Sequence, residues 1–218
     1  MTSDSDKALL RDSQFEVGDV DVKSQESAYK GFFQMERWAL RHRLFSGEWT
    51  ETFQREIFRR GNAVAGIIYD PWRDEIALIE QFRIGAHDSP CGPWCLEVVA
   101  GMMDKDGEAP EQVMARELQE EAGLDAHHME FICRYLSSPG GTDEEVFLYA
   151  LLCDLSGADQ GIHGLDEEHE DIRLLVFPAH EVFAAMLNGR MNNAATLIGL
   201  QWLQLHRERL QKEAAEPA

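Results

Sequence analysis

The apolar run "CLEVVAG" (95–101) passes without a polar linker into "MMDKDGEAPEQVMARELQEEAGL", and this junction constrains the fold more than any other stretch of the chain. The run has strand character. In the segment that follows, Pro110 suits a first helical turn, Glu111 its positive end and Gly123 a C-terminal cap, which predicts a helix between them. At about 3.6 residues per turn, Glu117, Glu120 and Glu121 fall within roughly a quarter turn of one another. Ala115, Leu118 and Ala122 fall on the opposite side and are expected to be the buried face. Ala100 to Leu124 holds seven acidic side chains in twenty-five residues. Like charges at i,i+4 cost a helix a few tenths of a kcal/mol per pair, and in sequence Arg116 alone stands near enough to compensate. A hard divalent cation held by carboxylate oxygens would offset the repulsion well; a solvated charged face is the alternative that helix geometry leaves open. A calcium-binding EF-hand is excluded, because with Gly107 at loop position 6 the ligand positions 1 and 12 fall on Met102 and Val113.

The flanking sequence alternates strand-like runs with turn signals. "AYKGFFQMERWALRHRLF", "TETFQREIFRR", "NAVAGIIYD" and "EIALIEQFR" precede the acidic segment; "FICRYLSS", "EEVFLYALLCD" and "DIRLLVFP" follow it, the last after the polar loop "LSGADQGIHGLDEEHED". Two helices close the chain, "HEVFAAMLNGR" and a longer one from about Ala194 to Lys212. This order points to an α+β or layered α/β/α fold. The 218 residues, 44% of them hydrophobic, suit a main domain over 61–218 with an N-terminal strand region over 1–60, whose polar first 25 or so residues are expected to be loosely ordered.

Forty acidic against twenty basic residues give a formal net charge of -20, a field that opposes binding to nucleic acid or an anionic membrane. The N-terminus lacks a basic region followed by an apolar one, and the longest clean apolar run, Val146–Cys153, is strand-length. Cys91, Cys95, Cys133 and Cys153 are too few for a disulfide scaffold, and "CGPWC" has three intervening residues where a redox motif has two. The expectation is a reduced, cytoplasmic protein.

Gly101, Glu108, "REL" at 116–118, "EE" at 120–121 and "GL" at 123–124 resemble the Nudix box, G-x5-E-x7-R-E-U-x-E-E-x-G-U with U a bulky aliphatic residue. The loop between Gly101 and Glu108 carries one residue more than the pattern. Phe32-Phe33, "RHRLF", "REIF", "DPWRDE", "LIEQFR", "SPGGT", "GIHGL" and "LQWLQLH" extend the likeness, to bacterial ADP-ribose pyrophosphatases within that family, over nearly all of residues 29 to 208. The resemblance implies an α/β/α sandwich with a mixed sheet, whose N-terminal antiparallel strands are exchanged in a homodimer. It implies Mg2+-dependent hydrolysis of ADP-ribose to AMP and ribose 5-phosphate, with two or three ions per site and Mn2+ as a substitute. Glu117, Glu121, Glu170 and the carbonyl of Ala100 would be metal ligands, Glu120 would complete the cluster, and Glu168 would accept the proton. Phe32, Phe33, Arg55 and Glu56 would form the adenine end of the pocket, and Arg60 and Arg83 would meet phosphates or polar groups. Met102, Ser138, Pro139, Gly140 and Glu144 would shape the remaining walls. His163 and His169 are read as surface residues. Two other readings stand beside this one: a pyrophosphatase for a different nucleoside diphosphate sugar, and a non-catalytic module that senses a nucleotide.

Overall fold

Backbone pairing, more than apolar content, organises the N-terminal part of the chain. The computed structural model describes residues 12–105, 107–165, 167 and 169–216, and the chain divides into two compact units. One runs to Arg60 and takes in Ser138–Asp143; the other comprises Gly61–Ser137 and Glu144–Ala218. In the first, β1 (Val20–Lys30), β2 (Gln34–His42) and β3 (Phe53–Arg59) form an antiparallel sheet in that order. The β1 sequence "VDVKSQESAYK" shows no apolar alternation, yet it pairs with β2 from Val20↔His42 to Lys30↔Gln34, and Arg41 donates to Asp21 at 2.8 Å. Part of the segment expected to be loosely ordered, from Val20 onward, is strand instead; residues 1–11 lie outside the described residues. The amide of Phe58 donates to the Gly141 carbonyl at 2.8 Å, which brings Ser138–Asp143 alongside β3. No described residue up to Arg60 is fully buried.

The second unit carries the core. Its strands are β4 (Ala63–Asp70), β5 (Glu75–Phe82), β6 (Trp94–Glu97), β7 (Val99–Met102), β8 (His128–Leu136), β9 (Glu145–Leu152), β10 (Ile162–His163) and β11 (Ile172–Pro178). Its helices are α1 (Pro110–Ala122), α2 (Ala179–Ala185) and α3 (Ala194–Ala215). The sheet order is β10-β11-β5-β4-β9-β8, antiparallel except for the β4–β9 pair. The β4–β5 hairpin pairs from Asp70↔Glu75 to Ile68↔Ala77 and then opens like a fork. β6 fills one arm against β5 and β7 the other against β4. The expected single strand "CLEVVAG" is thus two strands broken at Val98, whose amide donates to Thr196 Oγ1 at 3.1 Å.

Period-two alternation sorts the sheet's side chains onto its two faces. Val64, Ile68, Ala77, Ile79, Tyr149 and Leu151 pack with Val113, Met114, Leu118 and Ala122 of α1. Ala65, Ile67, Tyr69, Ile76, Leu78, Leu148 and Ala150 pack with Val182 of α2 and Leu200, Leu203 and Leu210 of α3. This is an α+β protein with a mixed sheet between helical layers. Three expectations are corrected here. Ala115 is exposed and Glu121 buried, because α1 is rotated so that Met114 and Leu118 centre its contact with the sheet. The loop after β9 contains β10, which pairs Ile162 with Arg173 and His163 with Ile172. "HEVFAAMLNGR" is helical only to Ala185, and the chain then turns through Gly189 at φ +90°. All four cysteines are free. Among the described residues no helix is long and apolar enough to cross a membrane.

Asp70 ends β4 as a buried carboxylate that accepts three backbone N–H groups, from Trp72 and Arg73 on one oxygen and Leu155 on the other, all at 2.9 Å. It closes the β4–β5 turn and holds the chain leaving β9. Asp70→Ala leaves these donors unsatisfied and should lower unfolding free energy by about 3 kcal/mol; an unchanged denaturant midpoint would contradict the assignment.

Candidate active site

α1 is defined at both ends by local chemistry. Pro110 occupies its first turn, and the Gln112 side chain reaches back to accept from the Ala109 amide at 3.0 Å. Gly123, at φ +63°, ends it in the left-handed region that favours glycine. Between these ends, the apolar side chains fix the helix against the sheet and Glu121 is carried down with them, to 2% exposure. Its carboxylate accepts from the Ala100 amide at 3.0 Å and from Gln81 Nε2 at 3.4 Å. One residue along β7, a Cβ placed on Gly101 would lie 2.0 Å from Glu117 Cδ. With glycine there the strand and that carboxyl can approach; any other residue would push the Glu117 side chain aside.

Arg116 is the cation of the cluster. Its Nη1 lies 2.8 Å from Glu117 and 2.9 Å from Glu120, its Nε 3.7 Å from Glu108 and its Nη2 3.9 Å from Asp104. One guanidinium thus faces four carboxylates, and the second oxygen of Glu108 is buried with no hydrogen-bond partner. Burial pushes the Glu117 carboxyl up to about 7, with Glu120 and Glu170 adding to the rise and Arg116 opposing it. Burial likewise pushes Glu121 up to about 8, against the Ala100 hydrogen bond and the charge of Arg83. Glu170 accepts from the Leu165 amide at 3.2 Å, and its charge is felt by both glutamates. Arg83 donates to Glu97 at 2.6 Å, and Asn193 donates to the other Glu97 oxygen at 3.0 Å.

Among the described residues no three acidic, histidine or cysteine side chains converge in a ready-made metal geometry, since Arg116 and the N–H donors hold the carboxylates instead. The donor set nevertheless fits a hard divalent cation: oxygen ligands only, Glu121 buried and Glu117 mostly so, beside strand backbone that Gly101 leaves open. Such an ion would have to displace Arg116 from Glu117 and Glu120.

The expected site residues fall into two groups. Glu117, Glu120, Glu121, Ala100 and Glu170 belong to the cluster in the second unit. Met102 ends β7 opposite Ala63, and Glu144 is buried, its carbonyl accepting from the Ser137 amide at 3.1 Å. In the first unit, Phe33 packs edge-on with Phe32 and Phe58 at centroid distances of 4.8 and 5.1 Å, and the Arg60 guanidinium stands 5.5 Å from the Phe33 ring. Phe32 is 87% exposed. Arg55 lies over Phe53 and Glu56 accepts from Arg37 at 3.4 Å. Ser138, Pro139 and Gly140 form a turn in which the Ser138 carbonyl accepts from Gly141 and Thr142. Glu168, the expected proton acceptor, lies outside the described residues, as does Asp166. Sequence reasoning missed Gln81 and Glu97. The available signal was the polar residues Gln81 and Glu97 at the ends of two largely apolar strands, "EIALIEQF" and "WCLE".

A NUDIX domain model matches residues 59–198, and the chain belongs to the NUDIX family. Members of this family generally use divalent cations such as Mg2+. Over 201 residues, 92% of this chain and 95% of the relative, it is 44% identical to the ADP-ribose pyrophosphatase of Escherichia coli K12. It is 39% identical over 209 residues to that of Haemophilus influenzae, covering 94% and 95% of the two chains. A GDP-mannose pyrophosphatase of Yersinia pestis is 31% identical over 182 residues, 81% of this chain and 87% of the relative. A crystal structure of an ADP compounds hydrolase matches in fold with a TM-score of 0.66 at 18% identity, covering 88% of this chain and 98% of that one.

Because Glu117 and Glu121 hold protons in the folded metal-free chain up to about pH 7 and 8 and would lose them near 4.5 when unfolded, the folded state binds more protons across that window. Their contribution to stability is full below about pH 4.5 and is lost as pH rises through the folded values. In a chelating buffer the melting temperature of the wild type, relative to Glu121→Gln, should fall steadily from pH 5 to 8.5. A pH-independent difference would contradict the burial argument.

Proposed function

We propose that this chain is a cytoplasmic, Mg2+-dependent hydrolase that cleaves the diphosphate of ADP-ribose to AMP and ribose 5-phosphate. The observation that carries the reading is the packing of α1 on β7, which brings Glu121 to the backbone of Ala100 and Glu117 to that of Gly101, with Glu120 sharing Arg116 with Glu117. The likeness to ADP-ribose pyrophosphatases over nearly the whole chain supports the substrate. Glu117, Glu121, Glu170 and the Ala100 carbonyl would hold two or three ions, with Glu120 completing the set and Mn2+ able to replace Mg2+. When bound, the ions neutralise the diphosphate and lower the pKa of the attacking water. Glu168 accepts that water's proton. Arg83 and Arg60 bind phosphate oxygens through their planar forks. Phe32 and Phe33 stack on the adenine, with Arg55 and Glu56 beside them, while Met102, Glu144 and the Ser138–Gly140 turn close the walls. A second reading, hydrolysis of another nucleoside diphosphate sugar, is supported by the 31% likeness to a GDP-mannose pyrophosphatase.

Incubation with Mg2+ and a panel containing ADP-ribose, GDP-mannose and other nucleoside diphosphate sugars, with identification of products, tests both. AMP and ribose 5-phosphate as the fastest products bear out the first reading. Under the best substrate, Glu168→Gln should lower turnover by about 10²–10⁴-fold with metal requirement unchanged, whereas Glu170→Gln should be partly rescued by excess Mg2+. Rescue of Glu168→Gln by metal would reverse the two roles.

The homodimer formed by exchange of the N-terminal strands is part of the same proposal. Its support is that a three-stranded sheet without one fully buried side chain, with Phe32 and Phe45 each nearly 90% exposed, lacks a core of its own. Deleting residues 1–60 should give insoluble or inactive protein; a soluble, active monomer in sedimentation would refute shared pockets.

A further inference from the structure

We infer that His163 is a positioning residue, which fixes the neck of the loop bearing Glu170 onto the C-terminal end of the helix bearing Glu117, Glu120 and Glu121. The inference rests on the hydrolase reading above. β10 is only two residues long, too short to fix a loop by strand pairing alone. Three further contacts supplement it. The His163 ring is held by Nε2, which donates to the Asp159 carbonyl at 2.8 Å. The adjoining edge of the ring, Cε1 and Nδ1, lies 3.3 and 3.5 Å from where a Cβ on Gly123 would stand. The ring therefore rests on the glycine that caps α1, close enough that a Cβ there would press on it, and the φ of +63° independently favours glycine at that position. The next amide, Gly164, donates to the Glu120 carbonyl at 3.1 Å, satisfying one of the last carbonyls that a helix leaves open.

From that dock to Glu170 the path is short. A Cβ on Gly164 would stand 2.7 Å from Glu170 Cβ. The Glu170 amide donates to the Leu165 carbonyl, and the Leu165 amide donates to the Glu170 carboxylate, both at 3.2 Å. The position of Glu170 relative to the helix glutamates is thus set through Gly164, and that of Gly164 through the imidazole wedged between Asp159 and Gly123. Through its ring His163 contacts Asp159 and Gly123, neither of which is a reacting group.

The test compares the full-length wild type with His163→Ala and His163→Gln, the second retaining an amide N–H that can reach the Asp159 carbonyl. Substrate-free Mn2+ binding by calorimetry, hydrogen exchange at the Gly164 amide, and Mg2+ titration of ADP-ribose hydrolysis are measured. His163→Ala should weaken Mn2+ binding and raise the Mg2+ half-saturation about tenfold, the lower end of what lost support for a metal ligand costs. It should also speed exchange at Gly164 and leave the KM for ADP-ribose at saturating Mg2+ within about twofold. His163→Gln should stay close to wild type in all four. A folded His163→Ala with unchanged Gly164 protection and Mn2+ affinity overturns the inference, as does equal damage in both variants accompanied by an equal loss of melting temperature. If the wild type hydrolyses no member of the panel, the hydrolase reading falls separately, and Mn2+ binding with Gly164 exchange still decides the role of His163.

Discussion

The hydrogen bond from the Ala100 amide to Glu121 is the contact on which the site depends. A carboxyl group at 2% exposure is costly unless it is satisfied, and here the partners are a strand amide and a glutamine from β5. Apolar packing of Val113, Met114, Leu118 and Ala122 keeps the helix where that bond can form. The same packing forces Glu117 onto the backbone of Gly101 and leaves Glu120 beside it. Stability and chemistry are in tension at this seam: what seats the helix also concentrates negative charge, and Arg116 holds the balance among four carboxylates.

Local chemistry was legible in the sequence where neighbours in the chain decide the outcome. The helix from Pro110 with its cap at Gly123 follows from residues within one segment, as do the strand "NAVAGIIYD" and the grouping of Glu117 with Glu120. What periodicity could not supply was the rotation of that helix about its own axis. Ala115 and Glu121 changed places in the burial order because Met114 and Leu118 centre the helix on the sheet, and the sheet supplies an amide and Gln81 to satisfy the glutamate carried in with them. β1 was unreadable for a related reason. Its side chains are mostly polar, and it is a strand because β2 offers a complementary row of backbone groups.

Long-range pairs mark the other boundary of what sequence could reveal. Arg83 and Glu97 stand 14 residues apart, and Asn193 reaches the same carboxylate from the start of α3. Arg83 was identified as a candidate for contacting substrate, but the partner that orients it was not. Glu97 sits in a run whose hydrophobicity made the whole stretch look like ordinary core.

The forked hairpin has a consequence for fidelity. The chain from Trp94 to Met102 is matched against two templates, β5 for its first half and β4 for its second, with Val98 as the hinge between them. A one-residue slip in either half would turn its side chains to the opposite face and would be opposed by the half still in place. The segment that presents the amide of Ala100 and the bare backbone of Gly101 is therefore proofread twice, at the one point in the sheet where an error of a single residue would erase the acidic seam.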